Sequence, residues 1–350
     1  MKNYDKNSLT GFVLMFLILL IFNFYFLPTT EETQQNNEGI KTENLITETD
    51  IVTSEKPQLT KEEKGNKYGV FAESAELNTK EYSIENEKIK VVISNKGGRI
   101  SSVVIKEGPN KKQYKTYDGN ELEIFNSDSS IFNLNFSTGI SINTSELFFK
   151  PKEISDDEIT MRLEVDSSHF IDFNYKINED YLVDFNINMI GMNEVIPREL
   201  NFMNLEWQMK TPQTEKSKEN QDMYTGIYYQ YFADKDDIDY LGYTNSDDVE
   251  KISNKLSWVA FQQQFFSSIL VAKNGFKNVN LTSLKEENSD YVKNLSAEFE
   301  IEYNHDPYEK IAFEFYFGPN HYKQLQSYNK SFEKIIPLGW GIFGWVNKYI

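Results

Sequence analysis

Cysteine is absent from this chain of 350 residues, and histidine occurs only three times. Without cysteine there is no disulfide, no thiolate metal ligand, no cysteine nucleophile and no N-terminal cysteine for a lipid to modify. Stability must then come from buried apolar side chains, and the chain is 39% hydrophobic and 15% aromatic. The sequence therefore predicts one or two domains with a large apolar core.

Basic residues are also scarce, since 36 Lys and Arg stand against 54 Asp and Glu, a formal net charge of −18. No run of basic residues offsets this charge, so a nucleic-acid partner is not expected. The acidic runs at 156–158 and 234–237 lack the spacing of a calcium loop, and no phosphate-binding, dinucleotide-binding, zinc-protease or serine-hydrolase motif occurs. The sequence predicts no cofactor and no metal.

One long uncharged run lies near the start of the chain, at residues 9–27. A helix of this length spans roughly 29 Å, about the thickness of a bilayer's hydrocarbon core. Lys2 and Lys6 precede it and Glu31 follows it, which predicts a cytoplasmic N-terminus at residues 1–8 and an extracytoplasmic main part. A cleaved signal peptide is the alternative, but its apolar region is usually shorter and has a small-residue exit. The predicted anchor is represented by Leu9, Phe12, Leu14, Leu17, Leu20, Phe24 and Leu27.

Residues 28–67 are rich in Thr, Glu, Gln, Asn and Lys, with apolar residues at no steady period. Such a segment buries too little apolar surface to offset the entropy lost on ordering. We therefore predict a flexible acidic linker there.

Beyond the linker the hydrophobic period is two. Val183, Phe185, Ile187 and Met189 alternate with polar residues, and the same pattern recurs at 171–177, 299–303 and 311–317. Further strands are predicted at 88–94, 99–106, 131–136, 159–165, 201–209 and 226–231, with a glycine turn at 95–98. Many short strands with one polar face predict a mainly β fold, a large antiparallel β-sandwich.

Residues 255–272 form a more continuously apolar stretch that contains Gln262, Gln263 and Gln264. Buried glutamines need hydrogen-bond partners, so they are expected to tie loops or sheet edges together. A binding site is the less favoured interpretation of this stretch.

The end of the chain combines a predicted helix at 321–332 with an uncharged stretch at 335–346, which is too short to cross a bilayer. Aromatic residues next to lysine suit the headgroup region of a membrane, although a plain core strand is the alternative. The predicted interfacial residues are Leu338, Trp340, Phe343 and Trp345.

Several short strings, in this order, resemble the N-terminal half of membrane protein insertases of the YidC/Oxa1/Alb3 family. They are residues 93–100, 258–266, 316–319 and 338–343, and they follow an N-terminal anchor and an acidic linker. The resemblance covers essentially the whole chain. The residues that represent these strings are Gly97, Gly98, Trp258, Gln263, Gln264 and Gly318.

The resemblance implies a periplasmic β-supersandwich over residues 68–320, like that of galactose mutarotases, followed at 321–350 by a helix and the start of the interfacial segment. It also implies a place in the cell inner membrane, and as partners the lipid bilayer, nascent membrane proteins and Sec translocon components. The family inserts and folds membrane proteins through a five-helix core, with or without the translocon. Because residue 350 is where that core begins in the family, this chain is expected to supply the anchor and the periplasmic domain, which position the interfacial segment.

Two other classes of function stay open. In a mutarotase-like sugar epimerase, a histidine and a carboxylate would act as acid and base. His305 lies in a turn signal, His321 is expected to cap a helix, and His169 is taken to lack a close acidic partner. The other alternative is a membrane-anchored module that binds a glycan or a peptide through exposed aromatic residues.

Overall fold

The computed structural model describes residues 59–107, 113–242, 247–287 and 289–337. The predicted anchor at 9–27 and the predicted interfacial residues from Leu338 to Trp345 lie outside these ranges, as does most of the predicted linker. Among the described residues, no helix has the length and apolar character needed to cross a bilayer.

Antiparallel strands make up most of the described chain, in agreement with the predicted fold class. Their bounds are β1 Glu81–Glu85, β2 Ile89–Ser94, β3 Ile100–Ile105, β4 Leu122–Phe125, β5 Ser130–Ser137, β6 Ser141–Asn143, β7 Lys150–Ile154, β8 Glu158–Glu164, β9 Phe170–Ile177, β10 Leu182–Ile190, β11 Phe202–Pro212, β12 Gly226–Tyr231, β13 Ile238–Leu241, β14 Asp248–Ile252, β15 Leu256–Gln262, β16 Phe266–Lys285, β17 Tyr291–Glu302 and β18 Tyr308–Pro319.

Three short α-helices accompany the strands within the described ranges: α1 Lys61–Tyr68, α2 Lys218–Met223 and α3 Tyr322–Ser327. Helix α1 corrects the prediction of a flexible linker for residues 61–67. Thr60 accepts a hydrogen bond from the backbone N–H of Glu63, and the Glu63 carboxylate accepts one from the backbone N–H of Thr60. This reciprocal cap satisfies two amides that the first helical turn leaves without partners.

The two layers of the sandwich share the long strand β16. Its first half pairs with β15 and β18, and its second half pairs with β14 and β17. The main strand order of this sheet is β6-β5-β11-β17-β16-β18-β10-β9-β8-β7. Off this path, β14 and β15 pair with β16, and β12 pairs with β15 and β13. Gly275 and Asn278 lie between the two halves with φ values of +71° and +45°. These left-handed residues let the strand turn the corner from one layer to the other.

Aromatic side chains fill the space between the two layers. Phe185 on β10 lies 5.4 Å from Phe132 on β5, measured between ring centroids, and Trp207 on β11 stacks on Phe261 of β15 at 3.9 Å. Such pairs contribute about 0.5–1.5 kcal/mol each beyond the area they bury. The predicted inward row of β10, from Val183 to Met189, is fully buried. The predicted alternation is therefore confirmed.

A smaller four-stranded sheet, in the order β1-β2-β3-β4, packs beside the sandwich. The Tyr175 hydroxyl of β9 donates to the Gly98 carbonyl oxygen at 2.9 Å, and the Tyr181 hydroxyl donates to the Glu107 carbonyl oxygen at 2.6 Å. Gly98, in the predicted turn between β2 and β3, has φ +62°, and a Cβ added there would lie 2.7 Å from the Phe149 ring. Only glycine fits this position, because the backbone is left-handed and the ring is close.

Candidate functional site

The C-terminal segment, residues 321–337, covers an apolar area on the outer face of the sandwich. Strand residues alternate between faces, so Tyr316 of β18 and Trp258 of β15 point away from the inter-layer core that Phe315, Phe317 and Phe261 enter. Tyr316 and Trp258 are nevertheless 0% and 1% exposed. The C-terminal segment buries them from outside.

The helix in this segment is shorter than predicted. His321 caps α3 by accepting from the Gln324 backbone N–H, as expected, but the helix ends at Ser327 and not at Phe332. Asn329 and Ser331 have φ values of +56° and +61°, which cannot continue a right-handed helix. A 3₁₀ turn then spans Phe332–Ile335.

Phe332 is the central apolar contact of the C-terminal segment. Its ring centroid lies 5.8 Å from that of Trp258 and 5.9 Å from that of Tyr316, and its side chain is 0% exposed. Leu325 and Ile335 are equally buried. Full burial of a side chain of this size stabilises by about 1.5–3 kcal/mol. These three residues therefore provide most of the attachment.

Hydrogen bonds fix the backbone of the C-terminal segment at two points. The Trp258 indole N–H donates to the Lys330 carbonyl oxygen at 3.0 Å, and the Gln262 side-chain amide donates to the Ile335 carbonyl oxygen at 3.2 Å. Lys330 also pairs with Glu314 at 2.7 Å, and Lys334 pairs with Asp236. The path of the chain is therefore defined as far as Ile335.

Asp180, in the turn between β9 and β10, connects the C-terminal segment to the smaller sheet. Its carboxylate accepts hydrogen bonds from the Tyr328 hydroxyl at 2.8 Å and from the Gln324 side-chain amide, and it pairs with Lys88. Burial, with a further contribution from this carboxylate, raises the pKa of Tyr328 well above its ordinary value. The Tyr328 hydroxyl therefore stays protonated and donates its hydrogen bond to the Asp180 carboxylate. Asn86 donates to the Asp180 carbonyl oxygen at 2.8 Å and holds the turn itself.

Two of the residues singled out by the sequence, Trp258 and Gly318, belong to this site. A Cβ added at Gly318 would lie 2.7 Å from the Tyr316 hydroxyl oxygen and 2.8 Å from the Tyr181 ring. Gly318 therefore allows the two tyrosines beneath the C-terminal segment to approach each other. Gly97 and Gly98 lie elsewhere, in the turn between β2 and β3.

The glutamine string lies at the β15–β16 turn, so the apolar stretch 255–272 is two strands and not one element. Gln263 donates to the Ile124 carbonyl oxygen of β4 at 3.2 Å, while Gln262 holds Ile335, as already described. These two glutamines tie separate elements together, as expected. The Gln264 side-chain oxygen is buried without a protein hydrogen-bond partner among the described residues.

His169 has two acidic partners, which corrects the expectation that it lacks one. Its Nδ1 lies 2.8 Å from the Asp166 carboxylate, and its Nε2 lies 3.4 Å from that of Glu194. The Asp166 hydrogen bond, followed by that of Glu194, raises the pKa of His169. The signal was present in the sequence, because Asp166 and His169 are three residues apart across a turn. Both ring nitrogens are engaged.

The other two histidines have structural surroundings. His321 caps α3, and His305 lies in a turn with φ +61°, where its Nε2 contacts the Leu200 carbonyl oxygen at 2.8 Å. Within the described ranges, no group of three or more metal-ligating side chains is placed to hold a metal ion.

A small cavity of about 10 Å³ lies between the layers and is lined by residues that include Phe132, Trp207 and Phe315. This volume is no larger than about one water molecule requires, so a sugar does not fit in that cavity.

Comparison with known proteins gives a consistent result. A sequence profile described as the YidC periplasmic domain matches residues 81–350. Two relatives carry the name membrane protein insertase YidC. The Parabacteroides distasonis protein is 30% identical over 99% of this chain and 58% of its own length, and the Azobacteroides pseudotrichonymphae protein is 32% identical over 98% of this chain and 56% of its own length. The chain thus spans less than two thirds of these relatives.

Solved structures with partial similarity include a putative aldose 1-epimerase from Escherichia coli and a galactose mutarotase-like protein from Lactobacillus casei. The first has a TM-score of 0.42 at 8% identity and covers 69% of this chain and 99% of its own. The second has a TM-score of 0.42 at 10% identity and covers 68% of this chain and 100% of its own.

Proposed function

Because the chain belongs to the YidC periplasmic domain family, we propose that it supplies the membrane anchor and periplasmic domain of an inner-membrane protein insertase. The observation that supports this function is the match of residues 81–350 to the family, together with relatives named insertases that align with almost the entire chain. The proposed role is non-catalytic. The proposed substrates are nascent membrane proteins, and Sec translocon components are proposed partners.

Residues 9–27 are proposed to form a single span with the N-terminus in the cytoplasm. The 19 uncharged residues and the flanking lysines support this topology. Protease added to intact spheroplasts should then digest the domain of residues 59–337. Protection in spheroplasts, together with digestion after lysis, would contradict the orientation.

The domain's proposed task is to hold the chain at a fixed point before the interfacial residues Leu338, Trp340, Phe343 and Trp345. Burial of Phe332, the bond from Trp258 to Lys330 and the bond from Gln262 to Ile335 support this role. A segment leaving a rigid point enters the headgroup region at a defined place, whereas a segment leaving a flexible linker does not.

The function is tested by depleting the protein from its own cells and following a pulse-labelled membrane protein by its protease accessibility. Depletion should slow insertion, and the unaltered gene should restore it. Normal insertion after depletion would contradict the insertase assignment.

The positioning role is tested in the same cells by deleting residues 338–345 from the gene. Insertion should stay slow although the protein is present in the membrane. As a matched control, the same number of residues is deleted from the predicted linker, at 40–47, which should restore insertion. Equal rescue by both deletions would contradict the positioning role but would leave the insertase assignment intact.

A further inference from the structure

The smaller sheet ends in a free edge at β1. Asn95 N–H donates to the Lys80 carbonyl oxygen at 2.9 Å, and Asn86 N–H donates to that of Ile89 at 3.0 Å. In an antiparallel pair the residues bonded to the partner alternate with residues whose backbone points away. Even-numbered residues of β1 therefore bond to β2, and the backbone groups of Glu81, Ser83 and Glu85 point outward.

One of these three residues already shows a bond in the outward direction. The Glu85 N–H donates to the Asp156 carbonyl oxygen, in the turn between β7 and β8, at 3.0 Å. The backbone groups of Glu81 and Ser83 have no such partner among the described residues. Two amides and two carbonyls are thus available along one line, in the pattern of a strand that lacks its neighbour.

An open groove of about 600 Å³ lies at the Ser83–Glu85 end of this edge and is also lined by Asn86, Glu87, Lys106 and Asp156. Lys106 pairs with Glu85 at 3.4 Å, whereas the carboxylates of Glu87 and Asp156 have no ion-pair partner within the described ranges. The groove therefore has an excess of negative charge. Positively charged side chains complement it electrostatically.

We propose that the free edge of β1 binds an extended peptide segment with Lys or Arg at alternate positions, which adds a fifth strand to the smaller sheet. The outward backbone groups of Glu81 and Ser83 supply the hydrogen bonds, and alternate side chains of the segment face the carboxylates. Asn86, at the end of the groove, contacts Asp180 and so places the bound segment beside the turn that holds the C-terminal segment. This proposal stands independently of the insertase assignment.

The proposal is tested with the full chain in nanodiscs of zwitterionic lipid and a fluorescein-labelled Lys-Thr-Lys-Thr-Lys-Thr peptide, followed by fluorescence anisotropy. Saturable binding is expected, and the corresponding Glu-Thr peptide should bind at least about tenfold more weakly. Empty nanodiscs give the background. Equal binding of the two peptides, or no saturable binding, would overturn the proposal and leave β1 as a short charged strand that only prevents aggregation.

A matched pair of variants locates the binding. S83P removes the outward N–H and blocks the edge, so affinity should fall by about tenfold, while S83A removes only the hydroxyl and should bind like the unaltered chain. Equal affinities of S83P and S83A would overturn the proposal. If S83P disturbs the smaller sheet, hydrogen exchange in the unaltered chain is the deciding measurement. Adding the Lys-Thr peptide should slow the exchange of the Glu81 and Ser83 amides. Unchanged exchange rates at these two amides would refute the site.

Discussion

The two ends of the described chain are attached to the domain in opposite ways. Helix α1 has a complete capping box and regular hydrogen bonding, yet no residue in it is buried. The C-terminal segment has a shorter helix that is followed by two left-handed residues, yet Leu325, Phe332 and Ile335 are 0% exposed. Regular local structure and firm attachment are therefore separate properties in this molecule.

The physical reason lies in what each segment buries. In helix α1, Tyr68 packs partly buried against the core and Lys64 pairs with Glu76 at 2.5 Å. Glu146 accepts from the Tyr68 hydroxyl at 3.1 Å and pairs with Lys67 at 2.6 Å. Both partners of that ion pair are about half exposed, and pairs of this kind contribute roughly 0–1 kcal/mol. The C-terminal segment covers an apolar sheet face, so releasing it exposes Trp258 and Tyr316 to water. It should open only together with part of the domain.

The largest expected effect follows from truncating the central apolar contact. F332A should lower the free energy of unfolding by about 3–5 kcal/mol and speed amide exchange in residues 322–336, because it leaves a cavity between Trp258 and Tyr316. F202A, at a side chain 46% exposed, is the matched control and should change stability by about 0.5 kcal/mol or less. Urea unfolding and hydrogen exchange measure both. Similar losses for the two variants would show that the aromatic contacts do not hold the segment.

A smaller effect is expected at the connection between the C-terminal segment and the smaller sheet. D180N loses the charge that pairs with Lys88 and weakens the acceptor for Tyr328, so stability should fall by about 1–3 kcal/mol. The rate of amide exchange should rise both around Lys88 and around Tyr328. E179Q alters the neighbouring exposed residue and should leave both regions unchanged. Faster exchange on one side only would contradict the coupling through Asp180.

At the opposite end, T60A removes the side-chain half of the reciprocal cap of α1, the bond from the Glu63 backbone N–H to the Thr60 hydroxyl oxygen. The helix should lose about 1 kcal/mol of local stability and its amides should exchange faster, while the urea midpoint of the domain stays the same. E62Q changes the same helical turn without touching the capping box and is the control. A shift of the urea midpoint with T60A would show that α1 is integral to the domain, and the contrast between the two ends would fail.

The smallest expected effect is a pH dependence at His169, which lies in neither α1 nor the C-terminal segment. Because Asp166 and Glu194 raise the pKa of His169, the protonated ring stabilises the folded turn. This contribution is fully present below the ordinary histidine pKa of about 6.5 and is lost as the pH rises through the higher folded-state value. The rate of amide exchange at residues 166–169, corrected for its intrinsic pH dependence, should rise as the pH increases above about 6.5. The H169Q variant should not show this rise. Matching changes in the C-terminal segment would contradict a local effect.

The strands were the most predictable part of the fold, because a period of two encodes a half-buried strand directly. The alternation around Val183 and Phe313 gave β10 and β18 within one to three residues at each end. The later half of β16 was not predicted, since Gly275 and Asn278 shift its register and a polar outer face follows. Helix α1 was not predicted, because the polar composition of residues 28–67 indicates a linker and the Thr60–Glu63 capping box is a short local pattern within it.

The site was only partly predictable. Trp258 and Gly318 were singled out, but the partner of Trp258 is a carbonyl oxygen 72 residues away, and Gly318 matters because of two tyrosines in different strands. Asp180 has the sequence context of an ordinary hairpin turn. Its contacts with Lys88 and Tyr328 arise from packing between distant elements, which no local pattern contains.

Strand β16 also couples the two layers of the sandwich. Its 20 residues belong to both layers, so the layers cannot separate unless this strand loses its hydrogen bonds to the neighbouring strands of one layer. A pull on the C-terminal flank passes through Trp258 and Gln262 of β15 into its neighbour β16 and thereby reaches the opposite layer. Tension applied to this flank would accordingly move the two layers of the domain together.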